Sequence, residues 1–244
     1  MSSLYRSILN VQGSSFASTN SFEFDGSTDY VIVPNSTSLN ITTAMSVSMW
    51  FKTTSSSGMY ALTQGSGSEI KHFVQFYAPI NRIRIQIWDG NSVSTIIDNT
   101  QAFNDGQWHH IAFTTDALTT TDGVKIYFDG TLLTNKGTLS NNGIRSISTP
   151  FYIGQIPNTS RFNGNIDEVA VFNSELSQSD VSSIATAPSD LSTYGSLVSW
   201  WRMGEAANYA GGQWTLTDQG SGGNDGTSTT IPAPPAQPST DVPI

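Results

Sequence analysis

At 244 residues the chain can form one large β domain or two small ones, and a single domain of that size hides roughly three quarters of its surface. Nineteen acidic residues against ten basic ones give a formal net charge of -9 with no basic cluster, which removes the attraction for phosphate backbones and excludes nucleic acid as an expected partner. The lack of cysteine excludes disulfides, thiolate-bound zinc, iron-sulfur clusters and cysteine nucleophiles.

In chain order, residues 1-15 read as an N-terminal arm, with Leu4, Ile8 and Leu9 spaced for one side of a short helix or clamp. Neither this arm nor any later segment has the apolar run of an export signal or a membrane span, so neither export by a standard signal nor membrane insertion is expected. From residue 22 onward apolar residues alternate with polar ones, as Phe22/Phe24, Met45/Val47/Met49/Phe51, Ile83/Ile85/Ile87, Ile111/Phe113, Val124/Ile126/Phe128, Phe151/Ile153 and a last run from Ile166 to Phe172. Period two puts each set on one face of a half-buried strand. Asp89-Gly90 and Asp129-Gly130 close two of these runs and supply the positive φ angles of tight hairpins. Many short strands between Gly, Asn, Ser and Asp turns predict an all-β antiparallel β-sandwich or barrel. One short helix is expected near 178-186, where Ser177 and Asp180 make a capping box ahead of Val181 and Ile184. The proline-rich stretch 231-244 has little to bury and is read as a tail, extended over a surface or free.

Four stretches, SFEFDGSTDYVIVP at 21-34, MSVSMWFK at 45-52, DGQWHHIAF at 105-113 and FNGNIDEVAVFNSELSQSDV at 162-181, together resemble the laminin G-like branch of the concanavalin A-like jelly rolls. The resemblance implies one jelly roll over 16-230. A fifth stretch, LVSWWRMGEAANYAGGQWTLTDQGSGGNDGT at 197-227, looks like the strand and loop that in this family precede the FDG strand. Its position at the other end of the chain implies a permuted order, with 197-203 pairing back into the sandwich. The permutation, the short arm and the DVP ending are similar to laminin G-like proteins of tailed bacteriophages. That likeness implies a capsid decoration or fibre component on the virion surface, assembled with other virion proteins or copies of itself.

Concanavalin A-like glycosidases carry two glutamates flanking an aspartate on one strand, because acid and nucleophile must sit about 5 Å apart. Glu23 and Asp25 begin such a run, but Thr28 stands where the second glutamate would be, so no enzyme activity is expected. His109 and His110 are adjacent, face opposite sides of a strand and cannot easily share a metal. The metal expectation is a structural calcium on Asp25 and Asp167, with oxygens from Asn165, Asp29 or Glu168; the competing reading of FDGSTD is a plain Asp-Gly turn. For carbohydrate binding, Arg84 and Trp88 share the outward row of one strand, where a sugar ring can stack and its hydroxyls be gripped. Trp200 and Trp201 alternate, so one of them must face away from the core. The competing reading is that these rings cover the sheet or contact a neighbouring subunit. The two functions that follow are a non-enzymatic virion structural protein and, as the alternative, a glycan-binding adhesion module for cell-surface or environmental polysaccharide.

Overall fold

A computed structural model describes residues 16-90, 93-98, 100-116, 123-133 and 143-244; the expected arm at 1-15 lies outside the described residues. The strands in chain order are β1 (Phe22–Asp25), β2 (Val31–Val33), β3 (Met45–Lys52), β4 (Gly58–Ser66), β5 (Glu69–Tyr77), β6 (Arg82–Trp88), β7 (Val93–Asp98) and β8 (Trp108–Thr115). They continue with β9 (Val124–Phe128), β10 (Thr131–Leu132), β11 (Phe151–Ile153), β12 (Asn163–Phe172), then helix α1 (Gln178–Ile184), then β13 (Leu197–Trp201), β14 (Ala207–Ala210), β15 (Gln213–Leu216) and β16 (Gly226–Ser228). All pair antiparallel into two sheets. The seven-stranded sheet runs β1-β12-β3-β8-β9-β10, with β13 also on β12, and the nine-stranded sheet runs β14-β15-β16-β2-β11-β4-β5-β6-β7.

The alternation sets the layers. On β6 Ile83, Ile85 and Ile87 are fully buried while Arg82, Arg84, Gln86 and Trp88 are only half-buried on the outer face. Between the sheets Phe51, Phe76, Phe113, Phe151, Phe162 and Trp201 fill one continuous core. The β9-β10 hairpin turns on Asp129 and Gly130, with φ of 48° and 71°, a two-residue turn whose twist matches that of the strands.

A second apolar cluster covers the outside of the seven-stranded sheet. Helix α1 is closed by the Ser177/Asp180 capping box and lays Val181 and Ile184 over Ala112, Tyr127, Ala170, Phe172 and Trp200. Ser46 shows why the outward row of β3 is polar yet buried: its hydroxyl donates to Ser174 O at 2.8 Å and accepts from Leu176 N at 2.9 Å, tying the segment before α1 to the sheet. Trp201 faces the main core and Trp200 faces the other way, under Phe16 at 5.7 Å, so neither ring is open to solvent.

The proline-rich end runs along the surface. Ser21 and Ser239 exchange two backbone hydrogen bonds of 2.9 Å, Gln237 accepts from Glu23 N at 3.2 Å, and Asp241 binds Lys52 Nζ at 2.7 Å and Trp108 Nε1 at 2.8 Å. These contacts cover the free edge of β1, where exposed N-H and C=O groups would otherwise invite pairing with another chain. No helix among the described residues is long and apolar enough to cross a membrane.

Candidate functional site

The acidic residues of β12 lie at a junction. One edge of this strand pairs with β1 over Asn163–Ile166 and with β13 over Val169–Phe172, which leaves Asp167 and Glu168 at the gap. Glu168 has φ of 50° and the register with β3 shifts between Asp167 and Ala170, a bulge at the point where pairing is interrupted. The turn after β13 adds Glu205, and carboxylate oxygens of Asp167, Glu168 and Glu205 lie within 4.8 Å of one another. Ser18 Oγ donates to Asp167 at 2.6 Å, Trp200 Nε1 to Glu168 at 2.5 Å and Asn20 N to Glu205 at 3.1 Å. Arg202 supplies the one cation among the described residues, its Nε 3.3 Å from Glu168 and its Nη2 3.8 Å from Glu205.

Three carboxylates and one guanidinium leave surplus negative charge in a buried place, which must be neutralised by protons or a cation. Burial, reinforced by the Glu168 charge, raises the Asp167 pKa well above the usual carboxylate range. Burial likewise pushes Glu168 up to about 7 against the opposing pull of Arg202 and Trp200. Glu205 Oε2 is buried without a hydrogen-bond partner among the described residues. The donor set therefore fits a hard, oxygen-seeking cation, with Asp167, Glu168 and Glu205 as the residues that would hold it.

Asp25 does not join them. It pairs with Asn163, four strand positions from Asp167, or about 13 Å along the strand. Its Oδ1 accepts from the backbone of Ser27, Thr28 and Asp29 at 2.7 to 3.0 Å, and its Oδ2 from the hydroxyls of Ser27 and Thr28 at 2.6 and 2.7 Å. Partial burial works to raise its pKa, yet these donors hold it well below the usual range. FDGSTD is thus the Asp-Gly turn; the structure does not bring Asp25 to Asp167, whose neighbouring carboxylates are Glu168 and Glu205. Asp29, also considered as a ligand, is buried behind the turn and pushed up to about 6, first by burial and then by the Asp25 charge. Asn165 donates to Ser21 Oγ at 3.1 Å and takes no part in the cluster.

Arg84 and Trp88 do share one patch. The outer face of the nine-stranded sheet places the Arg84 guanidinium 5.0 Å from the Phe73 ring and the Trp88 ring 5.4 Å from it, with Tyr60 against the same Phe73 at 5.0 Å. Phe73 is covered by these neighbours, which leaves Arg84 and Trp88 as the half-exposed rim. His109 bonds Asp129 at 2.8 Å and Asp105 at 3.1 Å, whereas His110 is fully buried beside Trp50. The two histidines diverge as strand alternation requires.

Two antiparallel sheets packed face to face, with a helix, Phe16 and the C-terminal stretch over one outer face and an arginine-aromatic rim on the other, define a lectin-type jelly roll. Residues 25-182 match the laminin G model of the Concanavalin A-like lectin/glucanases superfamily, and the chain belongs to that superfamily. No curated protein matches the chain. Among solved structures it is similar to a Bacteroides ovatus protein proposed to bind carbohydrate, with a TM-score of 0.65 and 16% identity over 87% of this chain and 58% of that one. It is also similar to the native heptameric SAP-like pentraxin of Limulus polyphemus, with a TM-score of 0.50 and 16% identity over 69% and 82%. Domains LG4-5 of the mouse laminin alpha1 chain give a TM-score of 0.51 and 13% identity over 68% and 44%. The chain thus spans less than two thirds of the Bacteroides and laminin chains. At these identities the likenesses concern the fold.

Proposed function

We propose that this chain is a non-catalytic carbohydrate-binding module that works by adhesion. The observation that carries the reading is the jelly roll with Arg84 and Trp88 half-exposed on the outer face of its nine-stranded sheet, where the Trp88 ring is the surface a sugar could stack on and Arg84 a donor beside it. Among similar folds, the Bacteroides ovatus protein proposed to bind carbohydrate covers most of this chain and supports the same reading. The start of a glycosidase run at Glu23 and Asp25 argues for adhesion over cleavage, since Asp25 is spent on its own turn. A glycan array probed with the full chain tests the proposal: saturable signal on a defined set of glycans supports it, and no signal on any plant, bacterial or animal polysaccharide refutes it.

A structural calcium on Asp167, Glu168 and Glu205 is part of this proposal, supported by the oxygen donor set and the uncommitted Glu205 Oε2. It would hold the junction of β1, β12 and β13 and does not touch the outer nine-stranded face. The placement on a bacteriophage virion, as decoration or fibre, rests on the sequence resemblance alone. It is compatible with glycan binding, and immunogold labelling of particles tests it separately.

A further inference from the structure

Arg161 lies between two clefts. The β-bridge from Gln155 to Arg161 and the bond from Phe162 N to Gly154 O at 2.8 Å close the loop between β11 and β12, with Asn158 at its tip at φ of 62°. This loop sets the Arg161 guanidinium 5.7 Å from the Tyr30 ring, where Nη1 donates to Ser27 O at 2.7 Å and Nε is left buried with no partner among the described residues. On one side is a cleft of about 230 Å³ whose walls include Tyr30, Ile32, Tyr152, Gln155 and Asn158. Ile32 and Tyr152 are paired neighbours on β2 and β11, so both half-exposed side chains look outward from the nine-stranded sheet. On the other side is a cleft of about 520 Å³, walled by the turn at 25-27, the hydroxyl-rich segments 54-57 and 159-160, and Asn163. Gly58 ends that wall, and the ring of Tyr77, 40% exposed, lies over it so closely that a Cβ on Gly58 would stand 2.6 Å from Tyr77 Cδ2.

Tyrosine rings in the smaller cleft and hydroxyl and amide groups along the larger one form a track, with Arg161 where the two meet as a donor. Sugars present apolar ring faces to aromatics and hydroxyls to polar groups, and this lining matches that alternation. Clefts of these volumes approach or fall within the ~300–1,000 Å³ usual for ligand sites. The chain's charge of -9 and the ionised Asp25 in the wall work against a polyanion.

We infer that this track is the glycan site, and that it takes a neutral oligosaccharide of several units, one end stacked at Tyr30 and Tyr152, the middle hydrogen-bonded by Arg161, and the other end held by the hydroxyl and amide groups of the larger cleft. The inference rests on the carbohydrate-binding reading and moves its centre from the Arg84–Trp88 rim to the Arg161 clefts.

Isothermal titration of the full chain with cellohexaose, xylohexaose, mannohexaose, laminarihexaose, chitohexaose and, as the polyanion, oligogalacturonate tests it, followed by the corresponding disaccharide of any that bind. The expected result is at least one hexaose bound at least tenfold tighter than its disaccharide. Arg161→Ala and Tyr152→Ala should each raise its Kd at least tenfold with unchanged melting temperature. Tyr152→Phe keeps the ring and retains binding, so a loss confined to Tyr152→Ala reports stacking and not a folding defect. A hexaose bound equally by wild type, Arg161→Ala and Tyr152→Ala overturns the track while leaving glycan binding intact; loss with Trp88→Ala alone has the same meaning and returns the site to the rim. Preference for oligogalacturonate over every neutral hexaose overturns the ligand class. No binding of any hexaose, together with a blank glycan array, overturns the carbohydrate-binding reading and this inference with it.

Discussion

Lys71 is fully buried on β5, and its Nζ has a single hydrogen bond among the described residues, to Leu39 O at 3.2 Å. No carboxylate among the described residues pairs with it, and burial pushes its pKa from 10.5 down to about 7. At about 1.4 kcal/mol per unit, that displacement corresponds to a ceiling of about 5 kcal/mol for keeping the ammonium charged inside the protein. The sign follows from proton counts: below pH 7 both states hold the proton and the cost is present in full. Between pH 7 and 10.5 the unfolded chain keeps the proton that the folded protein has shed, so stability rises with pH. Lys71→Met keeps the stem and removes the charge. After allowing about 1 kcal/mol for the lost hydrogen bond, the variant should be more stable than wild type by up to about 4 kcal/mol at pH 6.5. That advantage should shrink by about 3 kcal/mol by pH 9.5. Urea unfolding of both proteins at the two pH values measures this difference, and the titrations of other groups cancel in the comparison except that of His72, whose pKa is held down first by burial and then by the Lys71 charge. A variant that is less stable than wild type at pH 6.5, or a difference that does not change with pH, would refute the reasoning.

Three further outcomes follow from the packing. Ser177→Ala removes one half of the capping box that starts α1 and should cost about 1 kcal/mol in chemical denaturation, with Ser177→Asp recovering most of it. Gly164 has φ of 133°, and a Cβ there would stand 2.1 Å from Lys52 O. Gly164→Ala should therefore lower stability by more than ~2 kcal/mol, and a melting temperature equal to wild type would count against the described β3-β12 contact. For the acidic junction, adding calcium at a hundredfold its Kd to protein verified metal-free should raise stability by about 2.7 kcal/mol. An unchanged melting curve would leave protons alone to neutralise Asp167, Glu168 and Glu205.

Legibility from sequence followed the number of faces that water touches. On β6 the two-residue period of Ile83, Ile85 and Ile87 is plain because its outer row stays partly wet. On β3 and β13 the period fades, since α1, Phe16 and the segment near Ser174 bury the outer row too, and Ser46, Ser48, Trp50 and Trp200 are all inaccessible. The helix and the Asp129-Gly130 turn were legible because their signals are local. The acidic cluster was half legible: Asp167 stood out as an acid within an apolar run. Its partner Glu205 comes from 38 positions further along the sequence, and the bulge that orients Glu168 has no glycine to announce it. Asp25 misled for the opposite reason, because a carboxylate followed by Gly-Ser-Thr satisfies itself with its own turn. Arg161, Tyr30 and Tyr152 carried no signal, since their meeting depends on the β2-β11 register and the Gln155–Arg161 bridge.

Adhesion without cleavage is tested most directly by one incubation of the full chain with the glycan that responds best on the array, from which bound and broken sugar are both quantified. The account predicts a saturable bound fraction and no new reducing ends after prolonged incubation. Release of reducing ends in proportion to protein, abolished by Glu23→Gln, would contradict it.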